Sequence, residues 1–149
     1  MPETQASRTE KDKVWRRIEQ IVGPMALAVG RRRKDWRETG DAELSIFMTF
    51  SASDPPWYDV NRDDLETWLS YPRAFVVFVI GKHTDVLVIP ATDVHRLTQG
   101  LRTTRRGNVK LHLEHTLGGY RFREVAGPGS DLAPFHNKYS LLHSQADSG

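Results

Sequence analysis

The sequence predicts an α+β (or α/β) fold in which a mixed central sheet of about five strands is flanked by about three helices. The first observation behind this is the stretch 74–91, AFVVFVIGKHTDVLVIPA, where two apolar runs enclose a short polar turn. Both runs are rich in Val, Ile and Phe and too short for buried helices, which is typical of adjacent strands covered on both faces. The second observation is that amphipathic helical segments alternate with strand-like segments along the remaining chain.

The composition limits the class of protein. The 149 residues suffice for one domain, and an apolar share of 38% is low but lies above the disordered range. The absence of cysteine excludes a disulfide framework, a thiol nucleophile and a cysteine-based metal site. No apolar run approaches the roughly 20 residues of a membrane span, so we expect a cytoplasmic protein without a membrane partner. We expect a disordered arm (1–9), one globular α+β domain (10–142) and a flexible tail (143–149).

The first third of the chain is expected to hold a helix and a strand. From residue 10, apolar side chains recur at helical spacing as far as Val22, and a following glycine–proline pair predicts the end of an amphipathic helix. The short apolar run 25–29 fits either another helical turn or an edge strand. Residues 44–50 predict a strand, and residues 51–58, with two adjacent prolines, predict a loop.

Two short helices and a hairpin are expected in the rest of the chain. Asn61 is a good N-cap for a helix that ends near residue 70, with Leu65 and Trp68 on its buried side. A second helix is expected over residues 91–101, directly after a proline. A hairpin turning near residues 117–119 then follows, with strands at about 110–114 and 119–125.

The charges are distributed unevenly along the chain. No acidic residue occurs between Val94 and Leu113, although this stretch is rich in arginine. Clustered arginine and lysine are what phosphate recognition requires, since guanidinium groups bind phosphate through two hydrogen bonds. The alternative is that these runs are merely solvated surface. The residues predicted to contact nucleic acid are Arg31, Arg32, Arg33, Lys34, Trp36, Arg102, Arg105, Arg106 and Lys110.

Two of the four tryptophans raise different expectations. Trp36 is flanked by Arg33 and Arg37, which suggests a place on a phosphate-rich surface. Trp57 and Tyr58 follow a double proline, where they either stack on a base or seal the edge of the core.

The sequence contains few other motifs for catalysis or metal binding. The six histidines show no metal-ligand spacing on a helix, and no phosphate-binding loop or nucleophile elbow is present.

Asp35, Asp41 and Glu43 follow a predicted helix and precede a predicted strand, where carboxylates are suited to hold Mg²⁺ beside a phosphate. The strand GDAELSIFMTFSAS, a capped helix, and then AFVVFVIG with DVLVIPA resemble the element order of the PD-(D/E)XK nuclease-like (restriction-endonuclease-like) family over about residues 10–100. The resemblance implies Glu19 as the helical acid, Asp35 or Asp41 as the first metal ligand and Glu43 as the second.

The resemblance lacks the lysine that the family places two residues after its second acid. Ser45 stands there, and no lysine occurs between Lys34 and Lys82. Either one of those two lysines has taken over the position, or the domain binds without cutting. We therefore expect a nucleic-acid-binding module, DNA first, in the form of a catalytically degenerate, nuclease-related domain of a restriction or defence system with no cofactor.

Two alternatives stay open. One is a metal-dependent nuclease that uses Mg²⁺ held by Asp35, Asp41 and Glu43, with Asp41 and Glu43 as the catalytic acids. The other is a non-enzymatic interaction or adaptor subunit whose charged faces dock an oppositely charged protein. The sequence leaves open whether the two basic clusters share a face.

Overall fold

A computed structural model describes residues 4–28, 35–127 and 129–143. Its helices are α1 (Gln5–Val22), α2 (Arg62–Leu69) and α3 (Ala91–Thr98). Its strands are β1 (Met25–Leu27), β2 (Trp36–Thr39), β3 (Leu44–Ser51), β4 (Trp57–Asn61), β5 (Arg73–Ile80), β6 (Val86–Pro90), β7 (Asn108–Thr116) and β8 (Gly119–Phe122). This is an α+β architecture, as the sequence predicts. No helix of the described residues is both long and apolar enough to cross a membrane.

The larger sheet has five strands in the order β1-β2-β3-β5-β6. It is mixed, because β3 and β5 run parallel while the other neighbouring strands are antiparallel. The predicted pair at 75–80 and 86–89 forms β5 and β6. The run at 25–29, which the sequence leaves ambiguous, contributes the edge strand β1. Strand β2 is not among the predicted strands, because its sequence WRET is short and mostly polar.

The predicted hairpin does form, but it belongs to a second sheet of three strands in the order β4-β7-β8. Strand β4 lies in a segment where the sequence predicts mainly a loop and a cap. Its residues alternate, since Tyr58 and Val60 are buried while Trp57 is exposed. Five alternating residues after two prolines are too few to distinguish a strand from a loop without knowledge of the partner β7.

Two apolar clusters cover both faces of the larger sheet, as predicted for its central strands. One lies between the two sheets, α2 and α3, and includes Phe78 and Trp68. The other lies between the opposite face and α1, and includes Ile18 and Val77. The neighbours Val77 and Phe78 fall in different clusters because successive side chains of a strand point to opposite faces. The smaller sheet is covered on one face only.

The predicted starts of α1 and α2 can be compared with those in the structure. The sequence expects a disordered arm over residues 1–9, but α1 begins at Gln5, because the Thr4 hydroxyl caps it by accepting a hydrogen bond from the Ser7 amide at 3.0 Å. The predicted cap of α2 is confirmed, since the Asn61 side chain accepts from the Asp64 amide at 3.1 Å. Residues 1–3 and, in the expected tail, 144–149 lie outside the described residues.

The C-terminal segment closes the fold as two short 3₁₀ turns, Ala133–Phe135 and Tyr139–Leu142. Leu142 is buried in the cluster under α1. The Arg73 guanidinium donates to the carbonyl oxygens of Leu142 and His143, each at 2.8 Å. This arginine therefore ties the segment to the start of β5.

Candidate functional site

Asp35, a predicted metal ligand, is part of a structural contact between α1 and the start of β2. Its carboxylate accepts hydrogen bonds from Lys11 Nζ at 2.8 Å, Arg8 Nη2 at 2.9 Å and Trp15 Nε1 at 3.0 Å. Burial acts to raise the pKa of Asp35, but the bonds from Lys11, Trp15 and Arg8 outweigh it and hold that pKa below its ordinary value. The oxygens that a metal would need are engaged by cations and an indole N–H.

Asp41 and Glu43 lie beyond the other end of β2, in the turn before β3. Asp41 accepts a hydrogen bond from the Thr39 hydroxyl at 2.6 Å and from the Glu43 amide at 3.1 Å, and these bonds hold its pKa below the ordinary value. The structure therefore does not unite Asp41 and Glu43 with Asp35. Across residues 4–28, 35–127 and 129–143, no three acidic or histidine side chains are placed to hold a metal ion.

Asp41 and Glu43 do share an open groove of about 550 Å³ with Thr39 and Arg73. The groove offers little unused chemistry, because the Arg73 guanidinium already binds the C-terminal carbonyl groups. Glu19, the helical acid that the family resemblance implies, is also engaged. It accepts from the Met25 amide at 3.3 Å and pairs with Arg37 at 3.4 Å.

Trp36 is buried, which corrects its assignment to a nucleic-acid surface, and Tyr58 is buried, which agrees with the alternative that it belongs to the core. Trp36 is 1% exposed, donates its indole N–H to Ser45 Oγ at 2.9 Å and packs edge-on against Trp68. Tyr58 is also 1% exposed and donates its hydroxyl hydrogen to the Val79 carbonyl oxygen at 2.9 Å. The basic residues around Trp36 suggest a surface, but its contacts with distant residues decide its burial. Arg31, Arg32, Arg33 and Lys34 lie outside the described residues.

The basic loop, residues 99–107, connects α3 to β7. Its base is fixed, because the Arg62 guanidinium donates to the carbonyl oxygens of Thr98 and Leu101, each at 2.8 Å. Its other end turns through Gly107, which has a positive φ of 81° and whose carbonyl accepts from the Arg62 amide at 2.9 Å. The loop thus presents its side chains from a backbone held at both ends.

Three arginines project from this loop without an internal partner. Arg102, Arg105 and Arg106 are all exposed. Within the part of the chain that the structure describes, no carboxylate or carbonyl group forms an ion pair or hydrogen bond with their guanidinium groups. Their charge is available to a ligand.

The smaller sheet presents an uncovered surface beside this loop, which we name the open face. It is formed by the outward residues of β4, β7 and β8 and of the turn after β8. Its members are Trp57, Asp59, Asn61, Asn108, Lys110, His112, Glu114, Arg121, Arg123 and Glu124. A groove of about 480 Å³ joins the open face to the basic loop, lined by Leu101, Arg102, Thr103, Thr104, Lys110 and Glu124.

Trp57 and Lys110 stand at the centre of this arrangement. Trp57 is 41% exposed, and the Lys110 ammonium lies 5.0 Å from the centre of its ring, in cation–π contact. The other three tryptophans of the chain, Trp15, Trp36 and Trp68, are each 1% exposed. Trp57 is therefore the single tryptophan that can contact a ligand on the surface.

Two of the three carboxylates on the open face already accept hydrogen bonds from neighbouring residues. Glu114 accepts from Arg121 Nε at 2.6 Å. Glu124 accepts a hydrogen bond from the His112 amide at 2.8 Å and shares another with the His112 ring. Burial acts to raise the pKa of Glu124, but these bonds outweigh it and lower that pKa. Asp59 lies opposite Lys110 in the strand register. The basic loop and the open face together hold six arginine and lysine residues against three carboxylates.

A further polar cluster lies at the turn between β5 and β6 and fastens the C-terminal segment. Asp85 accepts from the Tyr120 hydroxyl at 3.0 Å and shares a 2.6 Å hydrogen bond with the His136 ring. Burial and the bond to Asp85 raise the pKa of Tyr120 to about 12. The His136 backbone also bridges to Leu87 of β6. We assign this cluster a structural role.

The structure thus brings together part of the predicted site and adds to it. It brings Arg102 and Lys110 together in one groove and Lys110 into contact with Trp57, while Arg105 and Arg106 lie on the same loop as Arg102. Arg121 and Arg123 do not stand out in the charge pattern of the sequence, although the alternation in β7 and β8 is a signal that places them on one face with His112. No protein-family model, curated protein or solved structure matches this chain. The resemblance to the PD-(D/E)XK family stays a prediction.

Proposed function

We propose that this protein binds nucleic acid through the basic loop and the open face. The observation that carries the proposal is a loop with three exposed arginines that have no partner among the described residues. One of them, Arg102, shares a groove with Lys110, which in turn contacts the exposed Trp57. Arginine binds phosphate through two parallel N–H donors, and lysine supplies a point charge. The hydroxyl groups of Thr103 and Thr104 line the same groove and add neutral donors.

The pairing of arginines elsewhere supports this choice of surface. Arg8 pairs with Asp35, Arg37 with Glu19, and Arg96 with Asp93. Arg62 and Arg73 donate to backbone carbonyl groups. These five arginines are used by the fold, whereas the three on the anchored loop form a cationic group with no such use among the described residues.

The proposal is for binding and does not include cutting. The two ends of β2 separate Asp35 from Asp41 and Glu43, so the metal-dependent alternative has no support from the geometry. Membership in a restriction or defence system rests on the family resemblance alone and is left outside the proposal.

An equilibrium binding assay at low ionic strength tests the proposal. Fluorescence anisotropy of labelled DNA and RNA, single-stranded and duplex, is measured with wild type and with R102A/R105A/R106A. We expect the triple variant to bind at least about tenfold more weakly, since non-specific affinity depends on the number of neutralised phosphates.

The matched control is R16A/K82A/K138A. It removes the same charge from three exposed cations that have no recorded partner among the described residues and lie on α1, the β5–β6 turn and the C-terminal segment. We expect it to bind within about twofold of wild type. Absence of binding by wild type, or equal weakening in both variants, contradicts the proposal. Capture of an acidic protein that depends on the basic loop, without nucleic-acid binding, supports the adaptor alternative instead.

A further inference from the structure

We infer that the ligand is a single strand, of DNA or RNA, and that one of its bases stacks on Trp57. The inference rests on the proposed function and specifies which nucleic acid the site accepts. Phosphate contacts alone do not select a single strand, because a duplex carries the same phosphate groups at a higher charge density. What distinguishes the two is the aromatic side chain between the cations.

Trp57 is held in place although its ring is exposed. Its amide donates to the Ser51 hydroxyl at 3.1 Å, and its neighbour Tyr58 is anchored by the bond to the Val79 carbonyl oxygen. Lys110 contacts the ring from the adjacent strand. A ring fixed in this way loses little conformational freedom when a base packs on it, which favours stacking.

Among nucleic acids, an unpaired strand offers the base faces on which an exposed tryptophan in this position can stack. In a duplex, each base face is covered by the next base pair, so a surface ring outside the grooves cannot reach one. In a single strand the base faces are free, and every base can stack on an aromatic ring without regard to sequence. The structure has only three exposed large apolar side chains among the described residues, and Trp57 is the aromatic one, with the Lys110 ammonium against its ring.

The neighbours of Trp57 extend this surface across the sheet. His112 lies directly opposite Trp57 in the register, at the separation where side chains on one face contact each other. The Arg123 amide donates to the His112 carbonyl oxygen at 2.7 Å, so Arg123 follows in the same row. This row runs from a stacking ring to an exposed cation and lies beside the basic loop, which suits a strand with alternating bases and phosphates.

Intrinsic fluorescence provides a direct test, because Trp57 is the one exposed tryptophan of four. We would titrate the protein with a mixed-sequence oligonucleotide of about 12 nucleotides, within the range bound by single-strand modules. The comparison ligands are the same sequence in RNA, its blunt duplex and an abasic strand of equal length. We expect the DNA or RNA single strand to quench the fluorescence, and the duplex and the abasic strand to leave it unchanged.

Two variants complete the test. Trp57→Ala is expected to lower the affinity for the single strand by about 5- to 150-fold while duplex affinity stays within about twofold, and Trp57→Phe should restore part of the loss. Leu27→Ala, at a 52% exposed apolar residue of β1, is the matched control and should change neither affinity. The DNA and RNA arms show which sugar is preferred, and a preference for either agrees with the inference.

The failures of the two proposals are distinguishable. If R102A/R105A/R106A loses binding but Trp57→Ala binds the single strand like wild type and no quenching occurs, the single-strand inference is overturned and the proposed function stands. If wild type binds none of the ligands at low ionic strength, both are overturned.

Discussion

The two sheets of this protein use similar apolar strands but differ in how their faces are covered. The larger sheet has α1 on one face and α2, α3 and the smaller sheet on the other, and its strand β5 is buried over five consecutive residues. The smaller sheet buries only alternate residues and leaves its other side to solvent. A surface that could bind a ligand therefore remains on the smaller sheet, while the larger one supports it.

The arginines differ between the two regions in the same way. Near the larger sheet, Arg73 binds carbonyl groups and Arg37 binds Glu19. Near the smaller sheet, the three arginines of the basic loop have no such partner in the described ranges. An arginine with a partner inside the protein contributes to the fold, whereas the charge of an arginine without such a partner is free to bind a ligand. The comparison assigns stability to one group of residues and binding to the other.

The largest expected effect is on Phe78, which joins the two sheets. Its ring is fully buried and meets Tyr58 and Phe122 edge-on, with ring centres 5.0 and 5.4 Å away. We expect Phe78→Ala to lower the free energy of unfolding by about 3–5 kcal/mol in urea denaturation. Trp57→Ala, on the exposed side of the same sheet pair, should cost less than about 1 kcal/mol. Similar losses in both variants would mean that the open face is buried in solution.

A smaller effect is expected at Asp35, which ties α1 to β2. Asp35→Asn should lower the free energy of unfolding by about 1–3 kcal/mol at pH 7, because the bonded cations lose their charged partner. The folded pKa lies below the unfolded one, so this contribution is complete above the ordinary carboxyl pKa of about 4 and is lost as the pH falls through the folded value.

The check is urea denaturation of wild type and Asp35→Asn at pH 7 and at successively lower pH. The difference between them should shrink below about pH 4. Asp12→Asn is a control, because its pair with Arg8 is half exposed, and it should cost less than about 0.5 kcal/mol. A constant difference between wild type and Asp35→Asn down to strong acid would contradict the ion-paired role.

A third effect concerns the anchor of the basic loop. Arg62→Met removes the donors to the Thr98 and Leu101 carbonyl groups but keeps an apolar stem. We expect a loss of about 1–2 kcal/mol in unfolding free energy and faster trypsin cleavage within residues 99–107. Unchanged cleavage would show that the loop is held by its backbone bonds alone.

The smallest effect on stability is expected where the effect on binding is largest. R102A/R105A/R106A should change the free energy of unfolding by no more than about 0.5 kcal/mol, since exposed side chains without partners contribute little to the fold. A thermal melt beside that of wild type checks this. A marked loss of stability would show that these arginines serve the fold.

The fold class and the central strands could be predicted from the sequence because their signals are local. Runs of Val, Ile and Phe give β5 and β6, and a single cap residue, Asn61, gives α2. The strands β2 and β4 could not be predicted in the same way. They are short, partly polar, and stabilised by partners that lie far along the chain.

The candidate site divides along the same line. The basic loop can be predicted from the sequence because its arginines lie close together along the chain, and a short loop cannot bury them. The three carboxylates of the proposed acidic site do not come together, because the extended strand β2 separates Asp35 from Asp41 and Glu43. The prediction that Trp36 lies on the surface is wrong because its charged sequence neighbours give no information about Trp68, the distant ring against which it packs.

The most direct test of the binding surface is the salt dependence of single-strand affinity for wild type and R102A/R105A/R106A. If the three loop arginines and Lys110 contact phosphates, a plot of log K against log salt should fall with a slope near −2.8, at about −0.7 for each contact. The triple variant should retain a slope near −0.7. Equal slopes for the two proteins would contradict the account, because phosphate contacts would then lie elsewhere on the molecule.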